Sequence, residues 1–379
     1  MVKSGVAALV VLTLVGCSGG SPATTPATAA IFLDPATTPL DPAKAKALQD
    51  VLAKIVATSD LESGSRGVTA SVVTDRWTWS GAAGKDARGT ALTADTSMAV
   101  ASITKTFVAA EVMLLAKAKK VDLDAPISTY VKHRLTANNA TVRQHLSMTS
   151  GVPNYLPDDY LRMDKAISAA PGKHWSPELA LSYDTAPVGA PGSTYNYSSP
   201  SYVLLGLLIE KVTGQPLATV LRRDLATPAG LRHAAFQDGE KPQPPAVVDA
   251  NPGCGPANDG YLPCRSIASL SAANGGLAAD APTVARWGYE LYGGRVLPAD
   301  LVSEMTKGEG DYGLGTMRFT ERFGIGTAFG HRGEMSDHTS LLVVIPEQRL
   351  SVALLLADGN KQVDAAMAGL LTALQPLLN

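Results

Sequence analysis

"SLLVVIPEQRLSVALLLADG", residues 340–359, is two short apolar runs around a turn at Pro346 to Gln348. Runs this rich in Val, Leu and Ile, separated by a Pro-containing turn, read as two neighbouring strands. Just downstream, Val363, Met367, Leu370, Leu371 and Leu374 fall at helical spacing and predict a closing helix. The other end of the chain mirrors this. Leu48, Val51, Leu52, Ile55 and Val56 mark an amphipathic helix over 43–57. Val68 to Val73 then has strand character, Asp75-Arg76 sits where a turn falls, and Trp77 and Trp79 alternate with polar residues. Both ends thus supply strands and a helix, while about 100–300 reads as helix and loop. The expected fold class is α+β: an antiparallel sheet formed from both chain ends, flanked by terminal helices, with an inserted mainly helical lobe. A cleft between sheet and lobe is where an active site would sit.

The chain has 379 residues, 45% of them hydrophobic and 17% charged, enough to bury a large core. A net charge of −2, with Lys and Arg spread along the chain, shows no basic patch and argues against nucleic acid as a partner. Residues 1–16 read as a signal peptide: Lys3 gives a positive start and Gly5 to Val15 an apolar run too short to span a bilayer. It ends in Leu14-Val15-Gly16-Cys17, which resembles the bacterial lipoprotein box. That resemblance implies lipidation of Cys17 and an exported protein held on the membrane, facing the cell envelope. Residues 17–41, dominated by Ser, Thr, Pro, Ala and Gly, read as a flexible tether. The folded domain is expected over 42–379. With Cys17 lipidated, Cys254 and Cys264 remain as an even pair in an oxidising compartment and are expected to form a disulfide. No C-x-x-C or H-E-x-x-H occurs, so neither a metal nor a cofactor is expected.

Three clusters carry chemistry. In Ser102-Ile103-Thr104-Lys105 the serine and lysine share one helix face, at the end where the helix dipole favours developing negative charge. A serine hydroxyl needs an activating partner, and Lys105 could act as base or as a cation supporting another base. In "PGSTYNYSSPSYVLLGLLIEKVTG", Ser199-Pro200 looks like a helix start with Ser199 as N-cap, and Tyr197 lies in the loop before it. In "FGHRGEMSDHTSLLVVIP", His331-Arg332-Gly333 precedes or opens the strand 338–345. Gly333, lacking a Cβ, would let a substrate backbone approach.

With all three in order, the chain resembles the serine β-lactamase and penicillin-binding-protein superfamily. Its likeness is to the branch with class C β-lactamases, D-alanyl-D-alanine carboxypeptidases, D-aminopeptidases and related esterases. "ATVRQHLSMTSGVPNY", "LATPAGLRHAAF" and "YGLG" at 312–315 extend it. The resemblance implies that Ser102 is acylated, that Lys105 is its proton partner, and that Tyr197 is the general base and later the acid. It makes His331 and Gly333 the substrate-side strand, with the N–H groups of Ser102 and Glu334 as oxyanion hole. Ser199 stands where this branch has Asn. Glu334 would repel a substrate carboxylate unless Arg332 or Arg318 offsets it. The expected activity is hydrolysis of amide bonds in cell-envelope D-amino-acid peptides (peptidoglycan-like) or β-lactams. An esterase or amidase on small acyl substrates, and a non-catalytic envelope penicillin-binding-like protein, are the alternatives.

Overall fold

The computed structural model describes residues 31–58, 66–192, 194–248, 252–254, 259–308, 310–319, 322–357 and 362–378. The signal peptide and Cys17 lie outside them.

The strands β1 (Arg66–Val73), β2 (Thr78–Lys85), β6 (Met317–Arg318), β7 (Phe329–Met335), β8 (His338–Ile345) and β9 (Leu350–Leu356) form a six-stranded sheet in the order β2-β1-β9-β8-β7-β6. Every pairing within it is antiparallel. β1 from one chain end pairs with β9 from the other, with Val72 opposite Val352. The two ends therefore close one sheet, as the apolar runs imply.

Both faces of the centre are covered, which explains why β8 and β9 are buried at every position. On one face Leu341, Val343, Val352 and Leu354 pack with Leu48 and Leu52 of the helix Pro42–Ala57 and with Met367 and Leu370 of the helix Val363–Leu374. On the other face Leu342, Val344, Ala353 and Leu355 join a second core with Ala285 and Trp287 of the helix Ala281–Tyr292. Gly288 lets that helix lie close: a Cβ there would come within 2.6 Å of Leu342 Cδ1. The lobe between the two ends is mainly helical. It carries a small three-stranded sheet of β3 (Met98–Ala99), β4 (Ala235–Phe236) and β5 (Leu277–Ala279), with β5 central.

Two sequence expectations are corrected and a third is made specific. Residues 31–41, assigned to the tether, lie against the domain. The Phe32 N–H donates to Gly293 O (2.8 Å), its ring meets Tyr289 edge-on, and Leu40 N–H donates to Thr78 O (2.8 Å). Average composition conceals two well-spaced apolar anchors, Phe32 and Leu40, both buried. Secondly, His331 and Gly333 precede the strand 338–345 rather than open it, and they lie inside a strand of their own, β7, paired to β8. Two glycines weaken its strand signal, yet Gly330 has no room for a Cβ beside Leu342 O. Finally, Ser198, not Ser199, caps the helix Ser199–Thr213, its Oγ accepting from Ser201 N–H (3.1 Å).

Candidate active site

Ser102 sits on a single tight turn, Ala101–Ile103, that feeds the helix Thr104–Lys117. Ala101 before it has φ +47°, a left-handed conformation costly for a residue with a Cβ. The surroundings fix it. Thr104 Oγ1 donates to Ala101 O (2.7 Å), and Ser340 Oγ donates to Val100 O (2.8 Å). The helix is buried along most of its length, with Phe107 stacked on Trp287 at 3.7 Å between ring centres. A nucleophile candidate thus projects from a rigid element.

Lys105 is fully buried. Its Nζ lies 2.9 Å from Ser102 Oγ and 2.6 Å from the main-chain oxygen of Asn274. The rings of Tyr197 and Tyr202 pack around the amine at 5.0 and 5.5 Å. Among the described residues no carboxylate pairs with it. Burial therefore pulls its pKa down to about 7.

Tyr197 comes from the loop before the helix Ser199–Thr213 and places its hydroxyl 2.8 Å from Ser102 Oγ, donating to it. An alcohol, an amine and a phenol distant in the chain meet at one oxygen. Burial pushes the Tyr197 hydroxyl well above the usual phenol range, so it stays protonated at neutral pH.

The remaining expected residues divide. Glu334 and Ser199 line, with Ser102, a cavity of about 310 Å³. Its apolar wall includes Tyr155, Tyr160, Met163, Ile167 and Leu270. The Ser199 main chain donates to Asn154 Oδ1 (3.1 Å), so the neighbourhood expected to hold a side-chain amide receives one from another loop. Arg332 approaches Glu334 at 3.7 Å, as charge offset requires. Arg318 does not; it lines a separate cavity of about 430 Å³ with Tyr195, Tyr312 and Arg322. Gly333 admits the chain itself. A Cβ there would lie 2.2 Å from Val100 O, so the turn bearing Ser102 packs on β7 where substrate approach was expected. His331 is completely buried, with its imidazole between Tyr312 Oη (3.0 Å) and Arg332 O (2.5 Å). Burial, then the nearby Lys105 charge, pulls its pKa down to about 3. It is neutral and offers no exposed surface. Cys254 and Cys264 are bonded, with Cα atoms 5.7 Å apart. They pack with Tyr155, Met163 and Ile167 behind the cavity wall.

Asn154, Asn274, Tyr155 and Tyr312 were not singled out by sequence reasoning. Asn274 acts through a main-chain carbonyl, which leaves no side-chain signal. The others lie in segments whose resemblance was visible but whose contacts were not. No group of side chains able to hold a metal occurs among the described residues.

The sequence profile described as Beta-lactamase matches residues 47–375, nearly the whole domain. The chain belongs to the beta-lactamase family. Among solved structures, a D-stereospecific amidohydrolase from a Streptomyces species is 26% identical with a TM-score of 0.70, covering 84% of this chain and 97% of that one. The D-amino acid amidase of Ochrobactrum anthropi SV3 shares the fold, at 23% identity and a TM-score of 0.74 over 89% of this chain and all of that one. Esterase EstB of Burkholderia gladioli is 31% identical over 157 residues, 38% of this chain and 40% of the esterase. The curated relatives are matched over 40% or less of their own length.

Proposed function

We propose that this member of the beta-lactamase family is a serine hydrolase that forms an acyl-enzyme on Ser102. Its substrates are amides: D-amino-acid amides or peptides of the cell envelope, and β-lactams. The observation that carries this reading is the convergence of Lys105 Nζ and Tyr197 Oη on Ser102 Oγ at 2.9 and 2.8 Å. Likeness to a D-stereospecific amidohydrolase supports the amide class.

The protonation states order the steps. Neutral Lys105, with its pKa near 7, takes the Ser102 proton as Oγ attacks the carbonyl. The N–H groups of Ser102 and Glu334 are assigned to the developing oxyanion. Tyr197, held protonated, gives its proton to the leaving nitrogen, and the resulting phenolate is stabilised by the Lys105 cation. Water then attacks the acyl-enzyme, its proton passes to Tyr197, and Lys105 returns its proton to Ser102 Oγ. This departs from the order the resemblance implies for Tyr197: the phenol is acid first and base second, with Lys105 in the first of the two roles open to it. The apolar wall of the cavity beside Ser102 suits a bulky acyl side chain. His331, with no exposed surface, is assigned a supporting role, and Ser199 a place on the cavity rim.

Esterase activity is the second reading, supported by the likeness to EstB. We further propose that lipid on Cys17 holds the enzyme on the membrane facing the envelope. Replacement of Cys17 by Ser should release it to the soluble fraction.

Intact-mass measurement after incubation with a β-lactam, and separately with a fluorophosphonate, tests the reading. Both should add one adduct, absent in Ser102→Ala. Phosphonate labelling with rapid turnover of short acyl esters and no β-lactam adduct would favour the esterase. No adduct from either reagent would reject catalysis and leave a binding protein.

A further inference from the structure

The mechanism uses Ser102, Lys105 and Tyr197 and leaves a second buried pair unexplained. His331 Nδ1 lies 2.5 Å from Arg332 O. A carbonyl oxygen only accepts, so Nδ1 carries the proton. The lone pair is then on Nε2, and the Tyr312 hydroxyl, 3.0 Å away, must be the donor. One tautomer satisfies both bonds.

The pair stands directly behind the Tyr197 ring. Ring centres are 6.5 Å apart for Tyr197 and His331, 6.4 Å for Tyr197 and Tyr312, and 5.7 Å for Tyr312 and His331. Tyr312 meets Tyr197 and His331 edge-on, at 90° and 88°. The groups facing His331 are Lys105 from the helix Thr104–Lys117, Tyr197 from its loop, and Tyr312 from the loop before β6. Opposite on β8 stands apolar Leu342. Arg332, next to it on β7, turns to Glu334 and Asp364. Among the described residues no carboxylate approaches the imidazole, so a proton on it would be a second uncompensated cation beside Lys105.

Resting on the reading of Ser102, Lys105 and Tyr197 above, we propose that Tyr312 is a positioning residue. Its hydroxyl, donated to His331 Nε2, holds the imidazole as the neutral Nδ1–H tautomer. That neutral ring backs Tyr197 and leaves Lys105 the only titrating cation in the site among the described residues. Burial and the Lys105 charge lower the pKa of His331, and the Tyr312 bond adds to them by occupying Nε2.

Tyr312→Phe keeps the ring and removes the donor, leaving a buried lone pair free to bind a proton. Expected are a kcat about tenfold lower, a KM within about twofold, and an acid limb of kcat/KM that steepens from a one-proton to a two-proton slope. In a His331→Gln background, whose amide oxygen accepts from Tyr312 without titrating, Tyr312→Phe should leave a one-proton slope. A purely structural role would lower thermal stability without changing the slope. The proposal is overturned if Tyr312→Phe retains a one-proton limb and full kcat, or if the steepening persists with Gln at 331. Should Tyr312→Phe not fold, His331→Gln alone decides: it should keep at least about a tenth of the parent kcat, where His331→Leu does not, and equal losses in the two would overturn the idea. Phosphonate labelling separates the failures. A parent that is not modified on Ser102 sinks the site reading, whereas a labelled parent with an unchanged Tyr312→Phe profile sinks only this proposal.

Discussion

The amine of Lys105 lies 2.6 Å from the main-chain oxygen of Asn274, and that oxygen is neutral. A carbonyl can hold the amine in place in either protonation state, but it cannot compensate a full charge as a carboxylate would. The site thereby positions Lys105 and leaves it basic enough to act near neutrality. Acylation should therefore fall with protonation of Lys105. With an ester substrate that does not itself titrate, kcat/KM should drop about tenfold per pH unit below about 7 and level off above it. A rate profile flat from pH 5 to 9 would contradict this.

The same desolvation has a stability consequence. The pKa of Lys105 is lowered in the fold, so between its folded value near 7 and the ordinary 10.5 the unfolded chain binds more protons. Stability then rises with pH across that window, and the burden is largest below pH 7. Lys105→Met should be inactive yet more stable than the parent at pH 6, by on the order of a few kcal/mol. The advantage should shrink toward pH 10. Thermal unfolding at both pH values reads this directly.

Tyr197 is needed most where the leaving group is poor. An amine must be protonated as it departs, whereas a nitrophenolate need not be. Tyr197→Phe should lower kcat/KM for a D-amino-acid anilide by about 10²–10⁴ and for a nitrophenyl ester by far less. Equal losses on both would mean that the phenol serves Ser102 rather than the leaving group.

How far the sequence reached depends on what kind of group carries each feature. The sheet was legible because Leu341 to Ile345 and Leu350 to Leu356 are continuous apolar runs, and the terminal helices because their apolar residues keep helical spacing. Ser102, Lys105 and Tyr197 were legible as residue types in order, although their meeting point was not. Main-chain chemistry left no trace: the Asn274 carbonyl and the strained Ala101 appear only once the chain is folded. The Phe32 strap was lost in an averaged composition. Gly333 was noticed, but local sequence cannot say which backbone fills the space a glycine leaves.

That last point can be tested alone. A Cβ on residue 333 would meet Val100 O at 2.2 Å and Ser340 Oγ at 2.3 Å, and neither the backbone nor the bonded serine can move without displacing Ala101. Gly333→Ala should cost about 1–3 kcal/mol and shift the turn that aims Ser102. Phosphonate labelling of the folded variant should slow at least about tenfold. Wild-type labelling and stability would show that the turn yields freely.

The Cys254–Cys264 bridge acts on the cavity rather than on the reacting groups. It closes a stretch with a sequence separation of 10 and packs with Tyr155, Met163 and Ile167, which also line the space beside Ser102. By the chain-entropy estimate such a closure stabilises by roughly 2–3 kcal/mol. The double replacement of both cysteines by alanine should lower the thermal midpoint and loosen that wall, while Ser102, Lys105 and Tyr197 keep their contacts from other elements. KM should rise several-fold for substrates with a bulky acyl side chain and stay near the parent value for an acetyl ester, with kcat for the acetyl ester little changed. Comparing the two substrates in one preparation makes the result independent of the fraction folded. A parallel loss on both would place the bridge in service of the whole domain and not of the acyl pocket.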